Sequence, residues 1–483
     1  MAMQLDMEQL AQGESPSRRE LAKLVFSLSL PTILAEFAVI AMEYIDAAMV
    51  GSLGAEATAA IGLVASSTWL VGGLCAASSV GFSVQIAQHV GAGEYCRARN
   101  VLRQSIIVLM AFSVLLTIIT VAISSSLPYW LGGEGTPAEE GVLYFLVFSI
   151  ATPALMLERI GVGALQCAGD MRTPSVWSAL ACLLDVLFNL VLIFPSTTYE
   201  IFGLHIFVPG CDLGVLGAAL GTSAAELFVG VVLMWFACVK SPMLRLVGTP
   251  EERFLTNDAQ ECWHVESRCC KIALKIASPI MFERVVMNGA QVVQTAIVAP
   301  LKTTALAANS LAITAEGLCY MPGYGIATAA TTLVGQSFGA GRRDLAKQFA
   351  NLTTVFGMVI MGVTALIMFF AAPFVMSLLT PVVAVQELGA LSLRAGLIAE
   401  PLFGASIVAA GALRGAGDTL IPSIMNLICM WGIRIPLAIF MAGAYGLVGV
   451  WVAMAIELCV RGTIFLIRLL RGTWLKRTSI TQV

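Results

Sequence analysis

Charged residues inside apolar stretches are where this sequence can do chemistry. At membrane depth each ionisable group costs at least ~2.5–3.5 kcal/mol, so it persists through function or through specific pairing. The first half of the chain carries seven such residues, Glu36, Glu43, Asp46, Glu158, Arg159, Asp185 and Glu226, six carboxylates against one guanidinium. The second half carries Glu283, Arg284, Glu316, Arg394, Glu400, Arg434 and Glu457, close to charge balance. An acidic cluster in a low-dielectric bundle either binds a metal cation or retains protons, because burial disfavours the charged form. Glu43 and Asp46 are three apart and share a helix face, with Glu36 two turns earlier on that stripe. Asp185 and Asn189, four apart, also share a face. Together with the hydroxyl of Thr222, these hard oxygen ligands suit a small alkali cation such as Na+, or a proton held between carboxylates. Asn189 and Thr222 read equally well as helix–helix hydrogen bonders; the lesser alternative for Asp46 and Asp185 is an ion pair with Arg159.

The remaining candidates are less pointed. Glu283 and Arg284 form a self-compensating pair by type, although adjacent helix residues point about 100° apart. Glu283 facing a cavity is the second-choice substrate or proton site, with Glu36, Glu43, Arg284 and Glu400 as further candidates. Glu400 precedes Pro401, and with Arg434 it makes either an ion pair or a substrate contact. Cys262, His264, Cys269 and Cys270 are metal ligands by type, but their spacing matches no structural zinc motif, so a reduced, solvated linker is expected. His89, at a helix end, is expected to be satisfied locally. No G-x-x-x-x-G-K occurs, which removes a P-loop ATPase engine. The three histidines (His89, His205 and His264) make no buried set with a nucleophile, so enzymatic chemistry and a cofactor are not expected.

These residues must be positioned by membrane helices. The 483 residues are 58% hydrophobic and only 12% charged, with mean hydropathy +0.88. A soluble domain carries roughly 25% charge, so single-domain enzymes, nucleic-acid binders and disordered regulators are excluded. The net charge of −3 points to no nucleic-acid partner. Most of the twelve cysteines sit singly in apolar runs and imply no disulfide framework. The N-terminal stretch MAMQLDMEQLAQGESPSRRELAK is polar throughout, so no secretory signal is expected and the first span directs insertion.

An all-α polytopic fold with twelve transmembrane helices is expected, at about 22–48, 57–88, 104–129, 141–166, 174–195, 214–239, 271–299, 305–335, 350–378, 387–413, 421–443 and 446–470. Basic residues gather on one side, from Arg18 and Arg19 through Arg97, Arg172, Lys240, Arg342 and Arg414 to Arg477, whereas the opposite loops contain Lys302 alone. The positive-inside rule then puts both termini in the cytoplasm of a multi-pass inner- or plasma-membrane protein.

The chain is also duplicated. Pro31 and Pro279, Gln88 and Gln336, Gly91 and Gly339, and Pro153 and Pro401 are each 248 apart. The offset breaks after the fifth span, where the first half carries an extra exposed loop, PSTTYEIFGLHIFVPGCD. The expected organisation is a tail (1–21), a six-helix bundle (22–239), a cytoplasmic linker (240–270), a second six-helix bundle (271–470) and a tail (471–483). Each half has an even number of spans, so the repeats are parallel and pseudo-symmetric about the membrane normal, an arrangement that places a substrate pathway at their interface.

YIDAAMVGSLGAEATAAIGL at 44–63, AQHVGAGE with its repeat GQSFGAGR, and ALRGAGDTLIPS at 412–423 resemble the multidrug and toxic compound extrusion (MATE) family over about residues 22–470. The resemblance implies two six-helix bundles in a V, and drug export in exchange for sodium ions or protons. It places Asp46 at the first-span aspartate of the DinF-like branch, to which this chain looks closer. It places Asp185 and Asn189 at the fifth-span pair, in reversed order, and Thr222 at the sixth-span threonine. Glu283 resembles the seventh-span glutamate of the NorM-like branch, whose tenth-span aspartate is replaced by Phe403, with Glu400 one turn earlier. The expected function is a monomeric antiporter exporting amphipathic organic cations or a polar metabolite, coupled through Asp46, Asp185, Asn189 and Thr222. The alternatives are a lipid-linked precursor flippase of the same superfamily and an integral-membrane enzyme. The acidic first half argues against the former, and the lack of a nucleophile–base set against the latter.

Overall fold

The computed structural model describes residues 17–201, 204–246, 265–476 and 479–480. Cys262 and His264 of the linker cluster lie outside these residues. Cys269 is buried and Cys270 half-buried at the start of a helix.

The first half folds as α1 (Arg18–Gly51), α2 (Ala55–Gly91), α3 (Tyr95–Ser124), α4 (Gly135–Cys167), α5 (Arg172–Ile193) and α6 (Gly214–Trp235), the last prolonged by a π-helical turn, Phe236–Lys240. The second half folds as α7 (Ser267–Val298), α8 (Thr303–Gly339), α9 (Arg343–Leu379), α10 (Val383–Leu397), α11 (Glu400–Gly415), α12 (Leu420–Cys429) and α13 (Ile435–Arg471). Among the described residues, eight helices are long and apolar enough to cross a membrane, and the pair α10–α11, bent by 55°, makes a ninth. The 52-residue run Leu420–Arg471 counts once there, but its backbone breaks at Gly446 (φ 61°, ψ −141°), a conformation only glycine adopts readily, and it therefore supplies two spans. With α7 (32 residues) and α8 (37 residues), each long enough to cross, the described helices accommodate the twelve expected spans. The extra loop of the first half is a β-hairpin, β1 (Pro195–Ile201) against antiparallel β2 (Leu204–Cys211), with Tyr199 opposite Ile206.

Prolines inside α1, α4, α7, α8 and α9 are carried by the helices that hold them, as membrane packing allows. Packing divides the chain into two compact units. One comprises Met1–Phe37, Ala87–Glu94 and Lys275–Val483, and the other Ala38–Ile86 and Tyr95–Leu274. These units differ from the sequence halves: the first takes the start of α1 and the end of α2, and the second takes the start of α7. In the first unit the start of α1 is bonded to α8, the Thr32 hydroxyl donating to the Gly325 carbonyl at 2.9 Å. In the second, the start of α7 is bonded to α2, Gln85 Nε2 donating to the Cys269 carbonyl at 3.2 Å.

The duplicated AQHVGAG and GQSFGAG motifs close α2 and α8, and close packing accounts for their glycines. A Cβ at Gly91 would overlap the backbone of Gln336, and a Cβ at Gly339 would overlap the backbone of Gln88. The two repeats therefore cross backbone to backbone, each glycine receiving the other repeat's glutamine, as small residues permit in membrane helices. Gln88 is fully buried, and its side chain donates to the Gly415 carbonyl at 3.0 Å and accepts from the Ile480 amide at 2.9 Å. Gly91→Val and Gly339→Val are each expected to destabilise the protein by about 1–3 kcal/mol through overpacking. Both lower the thermal midpoint of the purified protein, while Gly62→Ala, inside α2 with open space around it, does not lower it.

Candidate cation-coupling site

The expected cluster assembles within the second unit from α1, α5 and α6. Helix α5 is patterned for it: Cys182, Asp185, Asn189 and Ile193 make one buried stripe, while Leu183 and Leu187 are exposed on the outside. The spacing of three and four residues keeps that stripe on one face. Asp46, half-buried on α1, meets it. Asn189 Nδ2 donates to Asp46 Oδ1 at 3.0 Å and to Asp185 Oδ2 at 3.2 Å, so one amide bridges two carboxylates from different helices. Thr222 of α6 adds a polar contact to the Asp185 carboxyl.

Helix α6 makes room for this arrangement. A Cβ at Gly221 would collide with Asn189 Oδ1, and one at Gly217 with the backbone of Leu192 and Ile193. Asp185 and Asn189 are each only 1% exposed, and their Oδ1 atoms have no hydrogen-bond partner among the described residues. Two carboxylates, an amide and a hydroxyl thus converge, with two buried oxygens unspent. That set fits a hard monovalent cation or protons. Among the described residues no three His, Cys, Asp or Glu side chains converge as a metal cage. Val50 and Ile193, one turn beyond Asp46 and Asn189, join Ala57, Val215 and Ala218 in an apolar cluster that closes one side.

Glu43, one turn before Asp46, is exposed and acts on it electrostatically. Glu36, half-buried, belongs to the part of α1 in the first unit and is not part of this cluster. Glu226 of α6 is an electrostatic neighbour of Asp185, and also of Glu158 and Arg159 on α4. Tyr144 of α4 packs against the apolar cluster and is an electrostatic neighbour of Asp46, Asp185 and Glu226. Sequence reasoning passed over Tyr144 and Gly221. A lone tyrosine in an apolar run carries no signal, but Gly217 and Gly221 at a four-residue spacing are a small-residue packing pattern.

The second-half candidates are dispersed within the first unit. Glu283 of α7 is buried and engaged by α12: the Ser423 hydroxyl donates to Oε2 at 2.6 Å and Asn426 Nδ2 to Oε1 at 2.7 Å. Arg284 is half-buried, and its carbonyl accepts from Asn288 Nδ2 at 2.9 Å. The Glu283–Asn426 couple has the same 143-residue separation as Asp46–Asn189. The repeat position of Asp46 is residue 294, so the second couple sits eleven residues, about 16 Å, earlier along its helix. Glu400 opens α11, and Arg434 reaches Glu457 at 3.9 Å. His89 is satisfied locally, its Nδ1 lying 2.8 Å from Glu94.

Comparison with known proteins returns the same duplicated frame. The MatE family model matches residues 31–191 and again 279–440, the two matches beginning 248 residues apart. The probable multidrug resistance protein NorM of Thermotoga maritima is 25% identical over 96% of this chain and 95% of its own length. Its namesake in Pseudomonas aeruginosa is 28% identical over 91% of this chain and 87% of its own. Among solved structures, a MATE crystallised with MaL6 superposes with TM-score 0.84 at 21% identity, covering 97% of this chain and 99% of that one. The outward-facing conformation of a multidrug resistance MATE family transporter gives 0.83 at 21% identity, over 97% and 98%. These likenesses establish the fold.

Gly221→Ala is expected to push the Asn189 amide off its two carboxylates. Hydrogen bonds to charged groups are worth about 1.5–3 kcal/mol. The loss should therefore lower the thermal midpoint of the purified protein relative to wild type, while a substitution at the open position Gly62 does not.

Proposed function

Because the chain belongs to the MatE family, we propose that it is a multidrug antiporter, exporting organic cations or polar metabolites in exchange for Na+ or H+ through the Asp46–Asn189–Asp185 cluster. The observation that carries this reading is the Asn189 bridge. It ties α1 to α5 through two carboxylates whose charge, in a dry bundle, must be balanced by an ion. Binding that ion stabilises the joined arrangement of the two helices. Losing it leaves carboxylates that repel, so ion occupancy biases one arrangement of α1 against another. A substrate that binds the other arrangement better is then coupled to the ion by linkage, without direct contact.

The organic-cation preference is supported by the acidic excess of the first half, six carboxylates against one guanidinium in its apolar stretches. The distribution of basic residues supports insertion in the cell membrane with both termini and the linker cytoplasmic. Each six-helix half supplies its own polar cluster, which supports the reading that one chain transports by itself.

Asp46→Asn is expected to abolish drug resistance conferred on a sensitive host while protein abundance in the membrane is retained. Full resistance in that variant overturns the assignment. Transport into liposomes at fixed pH, with and without sodium, identifies the driving ion: dependence on sodium marks Na+, and drive by a pH gradient alone marks H+.

A further inference from the structure

The chain beyond α13 folds back onto the place where the two repeats cross. Helix α13 closes on Gly472, whose φ of 66° turns the chain in a way that strains any residue with a side chain. Trp474 follows at 1% exposure, its indole Nε1 donating to the Leu469 carbonyl at 3.1 Å. Farther on, Ser479 is buried, and its hydroxyl donates to Gln88 Oε1 at 3.2 Å, beside the Ile480 amide at 2.9 Å. Gln88 Nε2 donates in turn to the Gly415 carbonyl. One fully buried side chain of α2 thus makes three of the four hydrogen bonds open to an amide, two to the tail and one to α11.

These contacts close a ring. Gly415 ends α11, and three residues on Asp418, 0% exposed, is paired with Arg468 in the last turn of α13. The ring runs from α13 through the tail to α2, on to α11 and back to α13, and every member lies in the first unit. The backbone of Gln88 is also the surface against which Gly339 of α8 packs. The tail therefore grips the residue at which the repeats meet backbone to backbone. In the first half, the segment after the sixth span is held by α3 instead: Arg99 donates to the Pro242 and Met243 carbonyls, each at 3.3 Å. The tail contact is an addition to the packing that both repeats share.

We propose that the segment carrying Trp474, Ser479 and Ile480 is a latch that holds the ends of α2 and α8 crossed, and that it must let go of Gln88 before the crossing opens. Two features suit it to release. Its bonds to Gln88 are neutral and of modest net strength. Trp474 anchors the tail to α13 itself, so the segment keeps its own footing when Gln88 is freed. A transporter that moves one repeat against the other parts their ends once per cycle. A contact made in only one arrangement biases the equilibrium toward that arrangement. The latch draws on none of the residues of the Asp46–Asp185 cluster, and it holds whichever ion is exchanged.

The test is hydrogen–deuterium exchange, read by mass spectrometry on the full-length protein in lipid nanodiscs without substrate. Ile480→Pro removes the amide donor, and Ser479→Ala removes the hydroxyl while keeping the backbone, so it serves if the proline variant does not fold. Losing one neutral hydrogen bond is expected to speed exchange in peptides covering 88–94 and 336–342 by roughly three- to tenfold. Peptides from α5, in the second unit, should exchange at the wild-type rate. Unchanged exchange at both helix ends in Ile480→Pro and Ser479→Ala alike overturns the proposal, since the tail is then docked without holding the crossing. Equal acceleration in α5 also overturns it, by marking a general loosening of the fold. Neither result bears on the antiporter reading, because no transport is measured.

Discussion

A carboxylate in a water-free helical bundle must be answered by a hydrogen bond, a cation or a proton, and the rest of this molecule is arranged around that demand. Taking an ion out of water costs several kcal/mol even after the surroundings relax. Asn189 answers Asp46 and Asp185 in part, with its two amide hydrogens, and leaves their charge unbalanced. A partial answer is what an exchanger needs, since a fully compensated pair would have no reason to take up an ion. Glu283, held by Ser423 and Asn426, and Glu457, paired with Arg461, are the more completely answered cases.

The frame that holds these charges is duplicated, and the duplication is used unevenly. Backbone crossing is symmetric: Gly91 meets Gln336 as Gly339 meets Gln88. The start of α1 bonds to α8, and the start of α7 bonds to α2. The carboxylates are not matched. Asp46 has Gln294 at its repeat position, and Glu400 has Thr152. An acid–amide couple with the same 143-residue spacing recurs in the second half, but three turns away. Symmetric packing thus recurs in both halves, while their buried polar residues have diverged.

Much of this was legible in the sequence because polar residues in apolar runs are conspicuous. Asp46, Asp185, Asn189 and Thr222 stand out by type, and the four-residue spacing of Asp185 and Asn189 already places those two on one stripe of α5. The 248-residue offset is likewise visible, because Pro, Gly and Gln punctuate the two halves alike. Other features depend on distance in space. Gly221 is one glycine among 44, and only the position of the Asn189 carbonyl gives it meaning. Arg461 was passed over, although its four-residue spacing from Glu457 offered a signal. The extra exposed loop after α5 was visible as an insertion, but its hairpin pairing follows from a run of β-branched and aromatic residues. Pro401 was used as a repeat marker, and the bend it causes next to Glu400 follows from backbone chemistry that a span-length reading passes over.

The central claim is that the Asp46–Asp185 pair carries the ion that substrate displaces. Its most direct test is to saturate purified protein with a transported organic cation and count the sodium ions or protons released per molecule. Wild type is expected to release ion on substrate addition, and the Asp46→Asn/Asp185→Asn double variant to bind substrate and release none from this cluster. Equal release from wild type and the double variant would contradict the account.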